Sequence, residues 1–225
     1  MRLVEVAAGI LVATSRRDST TTTVVVGPGG RALLVDPAWE VDELESLADD
    51  LDTLGLTVEA GFSTHAHFDH LLWHPRFGDV PRWASPETVR RSTSPEGRAA
   101  LLAELGPWPA ELVPLVARVQ ELAAPAVPWP GPRVELVVHD AHVPGHTALW
   151  LPTRRVLLAG DMLSDVEPPL PEDGPDPLAA YAEGLDALEP FAAAAALLVP
   201  GHGSPTAEPL ARLAADRRAL AALAR

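Results

Sequence analysis

The stretch FSTHAHFDHLLWH, Phe62 to His74, places four of the chain's eight histidines and an aspartate within the ten residues from His65 to His74. It continues a short apolar run, Val58 to Ser63, that reads as a buried strand. Upstream, Val41, Leu44, Leu47, Leu51 and Leu54 recur at helical spacing, with Asp42 and Glu43 in the first turn, where the helix dipole favours negative charge. Before that helix, Arg31 to Val35 reads as a strand ending at Asp36. Strand, helix and strand make a βαβ-type unit, and the C-terminal end of its second strand delivers the histidines. The fold class is therefore α/β.

Working outward, Leu3 to Ala13 and the β-branched Thr20 to Val26 read as strands, and a turn at Gly27-Pro28-Gly29-Gly30 completes an antiparallel meander into Arg31 to Val35. In the middle third, Ser85-Pro86-Glu87 and Ser94-Pro95-Glu96 each offer a Ser cap with Pro at the first helical position. Pro109 opens a further helical run in which Leu112, Leu115, Val116, Val119 and Leu122 are in phase. Strands return at Val134 to His139, Ala148 to Pro152 and Arg155 to Ala159. A helix over Pro177 to Phe191, a strand over Ala195 to Val199 and a helix over Thr206 to Arg225 close the chain. At 225 residues one domain over residues 1–225 is expected, with a helical segment of about 85–124 covering its cleft.

Composition removes several functions. The formal charge is −14, from 31 acidic residues against 17 basic ones, all of them arginine. Nucleic acids and anionic membranes are poor partners for such a surface, because both need a basic patch. Zero cysteines exclude disulfides, thiolate chemistry and Cys-ligated zinc, so any metal is held by His and carboxylate. The apolar start, Leu3 to Ala13, is broken by Glu5 and preceded only by Arg2, which favours an opening strand over a signal peptide. No run reaches the roughly 18 to 20 apolar residues of a membrane span, and a cytoplasmic enzyme acting on a small molecule is expected.

Four places carry the chemistry: His65 to His70, Gly145-His146, Gly160-Asp161 and Gly201-His202-Gly203. Residues i and i+2 of an extended segment point the same way, so His65 and His67 can converge on one ion while Asp69 and His70 aim at a second. A catalytic zinc takes about three protein ligands and keeps a position open for water. Two such ions need six or seven donors, and these places supply seven. The same donors suit Fe, Mn or Co, because affinity order alone does not select the metal. Asp36 and Asp140 are candidates to orient ligating rings from behind. His74, His142 and Trp73 lie near the clusters as candidate supporting or substrate contacts, whereas His139 reads as an ordinary structural histidine.

Taken together these residues resemble the metallo-β-lactamase fold hydrolases, whose HxHxDH signature matches His65 to His70 position by position. Later ligands match in order: His146 in VPGHT, Asp161 in LLAGDM and His202 in VPGHG. The resemblance spans essentially the whole chain and implies a four-layer αββα sandwich of two mixed sheets with a dinuclear site at one edge. It further implies that His65, His67 and His146 hold the first metal and Asp69, His70 and His202 the second, with Asp161 bridging. Leu71, Leu72 and Trp73 follow the cluster where relatives commonly carry glycines, and Pro37-Ala38-Trp39 follows Asp36, departures that bear on substrate.

The resulting expectation is a hydrolase in which two zinc ions generate a bridging hydroxide that attacks an ester, lactone or thioester, with Asp69 as catalytic proton acceptor. Glyoxalase II resembles the chain in its ligands, but only about twenty residues follow His202 here, too few for that enzyme's C-terminal helical domain. Two alternatives belong to other classes: an oxidoreductase of the persulfide dioxygenase type with a single iron, and a metal-binding module without turnover. The segment from Ser85 to Leu122, with Trp73 and Trp108, is expected to roof the cleft and favour an apolar acyl group.

Overall fold

The computed structural model describes residues 2–172 and 175–223. Strands β1 (Val4–Ala7), β2 (Ile10–Thr14), β3 (Thr21–Val26) and β4 (Arg31–Val35) form the antiparallel meander. Helix α1 (Val41–Thr53) then carries the chain to β5 (Thr57–Phe62), which pairs with β4 in parallel. Two short strands, β6 (Arg82–Ala84) and β7 (Gln120–Glu121), extend the sheet in parallel, with α2 (Pro86–Thr93) and α3 (Pro95–Leu105) between them. The second sheet holds β8 (Glu135–His139), β9 (His146–Leu151), β10 (Val156–Gly160) and β11 (Leu197–Pro200) in the order β11-β10-β9-β8. Helix α4 (Pro177–Ala194) links β10 to the parallel β11, and α5 (Pro209–Leu223) follows.

Side-chain alternation explains the layers. In β4, Leu33 and Val35 face the second sheet while Ala32 and Leu34 face the helical side with α1 and α3. In β10 the same alternation sends Val156 and Leu158 between the sheets and Leu157 and Ala159 toward α4 and α5. Strands apolar on both faces must be covered on both faces, and the αββα sandwich is the result. No helix among the described residues is long and apolar enough to cross a membrane.

Three expectations about elements are corrected. Leu3 to Ala13 is two strands, because Gly9 takes φ +68° and reverses the chain between β1 and β2. The helix expected from Pro109 to Leu122 does not form. Pro114 falls inside it and lacks the N–H that a helix interior needs, Ala117 takes φ +53°, and the segment passes through a single 3-10 turn, Val113–Leu115, into β7. The last helix starts at Pro209 rather than Thr206, and its expected end at Arg225 lies outside the described residues.

Candidate metal centre

Beyond β5 the chain bends at His65 to His67, then makes a 3-10 turn over Phe68–His70. The bend brings the two rings together, His65 Nε2 lying 3.0 Å from His67 Nδ1. The turn rotates Asp69 and His70 toward His202, with His70 Nε2 3.3 Å from His202 Nε2 and Asp69 Oδ2 3.4 Å from each of those two nitrogens. Asp161, following β10, sits at the centre: its carboxylate lies 3.2 to 3.5 Å from Nε2 of His65, His70, His142 and His202. Two main groups of donors result, His65, His67, His142 and Asp161 in one and Asp69, His70 and His202 in the other, with Asp161, Glu167 and His202 forming a third that overlaps both.

The structure departs from the expected ligand pattern at one position. His142 completes the first group, its Nε2 3.1 Å from His67 Nδ1, while its Nδ1 lies 2.7 Å from the carbonyl of Leu170. His146, expected there, lies outside that group. It is the first residue of β9, and strand alternation puts it on the face of Ala148 and Trp150, which pack toward α4 and α5. From there His146 Nε2 accepts the backbone N–H of Asp161 at 3.0 Å, its ring stacks on His139 at 4.7 Å, and its Nδ1 is buried without a partner. Alternation through HTALWL puts His146 on the face of Ala148 and Trp150, but both faces of β9 are apolar and covered, so the sequence alone does not choose between His146 and His142.

The supporting residues are placed as follows. Asp36 accepts from Thr64 N–H and Oγ1 at 2.8 and 2.7 Å and lies 3.1 Å from His70 Nδ1, so it fixes that ring from behind. Asp140 accepts the Gly145 N–H at 2.8 Å and shapes the turn that carries His142. Ser85 and Thr88, at the start of α2, both donate to the Gly145 carbonyl and tie that helix to the same turn. His74 caps a 3-10 turn at Pro75–Phe77 by accepting from Arg76 N–H, and stands apart from both donor groups. Trp73 is also away from them: it is buried in the layer between the first sheet and α1, with its indole N–H donated to the Gly78 carbonyl at 3.1 Å.

Trp108 packs against that same layer, so the expected apolar roof is not built from these tryptophans. The cleft beside His67, about 320 Å3 in volume, is instead bordered by Arg90, Arg91, Ser94, Glu104 and Glu172. Helices α2 and α3 do stand over it, joined at an elbow where Ser94 accepts the Gly97 N–H at 3.1 Å. Arg91 pairs with Glu172, whose backbone N–H bonds the His142 carbonyl at 2.8 Å.

Burial and charge set the protonation of the cluster. Burial holds the imidazoles of His65 and His146 well below the usual histidine value, and His142 and His139 down at about 4. For His70 and His202 burial works the same way but loses to the carboxylates. Asp161, Asp69 and Asp36 raise His70 well above its ordinary value, and Asp161 lifts His202 to about 9. Asp69 and Asp161 are held low by the surrounding imidazoles, His70 foremost, against the opposing effect of burial.

These residues fit divalent metal. Ring nitrogens of His65, His67 and His142 face one another at 3.0 to 3.1 Å with too few protons to pair them all, and Asp161 Oδ1 is buried without a hydrogen-bond partner. Neutral imidazole with carboxylate is a donor set suited to zinc and its neighbours.

A cluster of this kind at the edge of an αββα sandwich defines a class of proteins built around His/Asp metal sites. The profile of the metallo-β-lactamase superfamily matches residues 16–202, and the chain belongs to that superfamily. Among solved structures it is similar to a β-lactamase domain protein from Burkholderia ambifaria, at 22% identity over 98% of this chain and 75% of that one, with TM-score 0.74. A metallo-β-lactamase family protein from Thermus thermophilus aligns at 24% identity over 98% and 82% of the two chains, with TM-score 0.76. The DIM-1 metallo-β-lactamase aligns at 18% identity over 99% and 97%, with TM-score 0.73. At these identities the likeness is one of fold. No curated protein matches the chain.

Proposed function

We propose that this protein is a metal-dependent hydrolase of a small ester, lactone or thioester, working with two zinc ions within one domain. His65, His67 and His142 would hold the first ion and Asp69, His70 and His202 the second, with Asp161 shared. The single observation that carries the reading is the gathering of these side chains, from four separate segments, around the Asp161 carboxylate. The presence of the trio Asp69, His70 and His202 favours two ions over one.

When bound, such a pair of ions supplies Lewis acidity and lowers the pKa of water toward neutrality. The chain's own residues do the rest. Asp69, whose Oδ2 lies 3.4 Å from His70 Nε2, is the carboxylate placed to take a proton from the attacking water. Thr20 Oγ1 donates to Asp69 Oδ2 at 3.0 Å and fixes that oxygen. As the water oxygen bonds the carbonyl carbon, the C–O or C–S bond breaks, and the proton held by Asp69 passes to the leaving oxygen or sulfur. The products are a carboxylic acid, which releases the second proton of the water as it ionises, and an alcohol or thiol, the two groups staying in one molecule when the substrate is a lactone.

The test is a panel of chromogenic esters, lactones and thioesters with metal-free and zinc-loaded protein. Turnover should require metal, and Asp69→Asn should lower kcat by at least about 100-fold, the usual scale of a lost proton-transfer group. Undiminished hydrolysis by that variant, or by protein stripped with a chelator, would end the proposal.

A further inference from the structure

A second cavity, of about 680 Å3, lies against β6 and β7 at one edge of the first sheet. Its volume is that of a small-molecule site, and it shares no lining residue with the cleft beside His67. Trp73, Val80, Leu115 and Val119 give it an apolar side, and Arg82 and Arg118 a cationic one.

Arg82, on β6, is only 6% exposed, yet its guanidinium bonds to neutral groups alone. Nε and Nη2 donate to the carbonyls of Arg118 and Leu115, each at 2.7 Å, and Cζ lies 4.9 Å from the centre of the Trp73 ring. Nη1 is buried without a partner. Of the carboxylates in the cavity wall, Asp79 pairs with Arg118 at 3.1 Å and Glu111 is exposed. Two arginines thus share one acid. Burial and the charge of Arg118 push the Arg82 guanidinium down to about 9. A buried cation without a counter-ion is destabilising, and an anion that reaches it relieves the strain of charge.

Holding the backbone does not account for this enclosure. The turn that Arg82 grips is also clamped from α3, where Arg98 donates to the carbonyls of Val116 and Val113 at 2.6 and 2.8 Å. Arg98 does so from the half-buried surface, so the same kind of clamp is made without sealing a charge beside a cavity.

We propose that this cavity binds a small organic carboxylate, its oxygens toward the guanidinium groups of Arg82 and Arg118 and its apolar body against Trp73, Val80 and Leu115. A planar carboxylate matches a guanidinium in shape and charge, and the apolar wall favours an organic anion over an inorganic one, which has no apolar surface to bury. No residue of this cavity belongs to a donor group of the metal cluster, so the site stands independently of the hydrolase reading.

The probe is benzoate, with benzamide as its neutral counterpart, titrated by calorimetry into full-length zinc-loaded protein and its Arg82→Met and Arg118→Ala variants. Any benzoate that meets zinc is common to the three proteins and does not distinguish them. Wild type should bind benzoate saturably in the millimolar range or below, and benzamide at least about tenfold more weakly. Each variant should lose about tenfold or more in benzoate affinity, as for a lost charge-assisted hydrogen bond. Circular dichroism checks the fold of Arg82→Met. The Arg118 side chain is exposed and its carbonyl bond to Arg82 survives in Arg118→Ala, so that variant decides the matter even if Arg82→Met unfolds. Benzamide bound as tightly as benzoate, unchanged benzoate affinity in Arg118→Ala, or no saturable benzoate binding to wild type would each overturn the proposal and leave the hydrolase reading as it is.

Discussion

At the scale of single residues, His142 and His146 divide a role that the sequence assigns to one of them. The two are four positions apart, yet the Gly145 turn, at φ +79°, leaves His142 facing Asp161 while His146 enters β9. His142→Ala should therefore lose about one equivalent of zinc and at least about 100-fold in activity, as for loss of one of three ligands. His146→Ser should retain both equivalents, since its Nε2 serves the Asp161 backbone N–H. Metal analysis of the two purified variants settles the matter; retention of full zinc by His142→Ala would return the role to His146.

At the scale of elements, the elbow between α2 and α3 decides how the cleft is walled. Ser94 ends one helix and caps the next, and Gly97 sits so close beneath α2 that a Cβ would lie 1.7 Å from the Arg91 carbonyl oxygen. Backbone cannot yield there as a side chain can, so Gly97→Ala should destabilise by about 1 to 3 kcal/mol through overpacking. Ser94→Ala removes one cap and should cost about 1 kcal/mol. Chemical denaturation measures both, and a Gly97→Ala midpoint equal to wild type would mean the elbow opens freely. The two Ser-Pro caps made these helices legible in the sequence. The strands β6 and β7 were not, because at three and two residues they carry almost no periodicity and exist only by pairing with β5 and each other.

At the scale of the whole molecule, stability is coupled to charge buried beneath the second sheet. Asp216 on α5 accepts the Leu163 N–H at 3.0 Å and the Tyr181 hydroxyl at 3.3 Å, and burial raises its carboxyl from 3.8 to about 6. The folded state therefore binds this proton more tightly than the unfolded chain. Its stabilising contribution is present at low pH and is lost as pH rises from about 4 through 6. Asp216→Asn should remove that dependence and be more stable than wild type at pH 8 by on the order of 2 kcal/mol. Thermal melts of both proteins from pH 4 to 8 check it, and parallel curves would refute it. Metal that binds only the folded state should raise the melting temperature, and a chelator should lower it again.

The sequence by itself determined the layer architecture and the chemical type of the site. Continuously apolar strands such as ALLV and VLLA dictate two covered faces, and the HxHxDH run brings its own four donors together through local geometry, a bend followed by a 3-10 turn. Only the tertiary structure decided which histidine joins His65 and His67, and where Trp73 goes. Both depend on contacts between segments far apart in the chain: the turn after β8 against α2, and the core beneath the first sheet. Residue type and spacing fix what a side chain can bind, but the direction in which it points is set by the neighbours that fill the space around it.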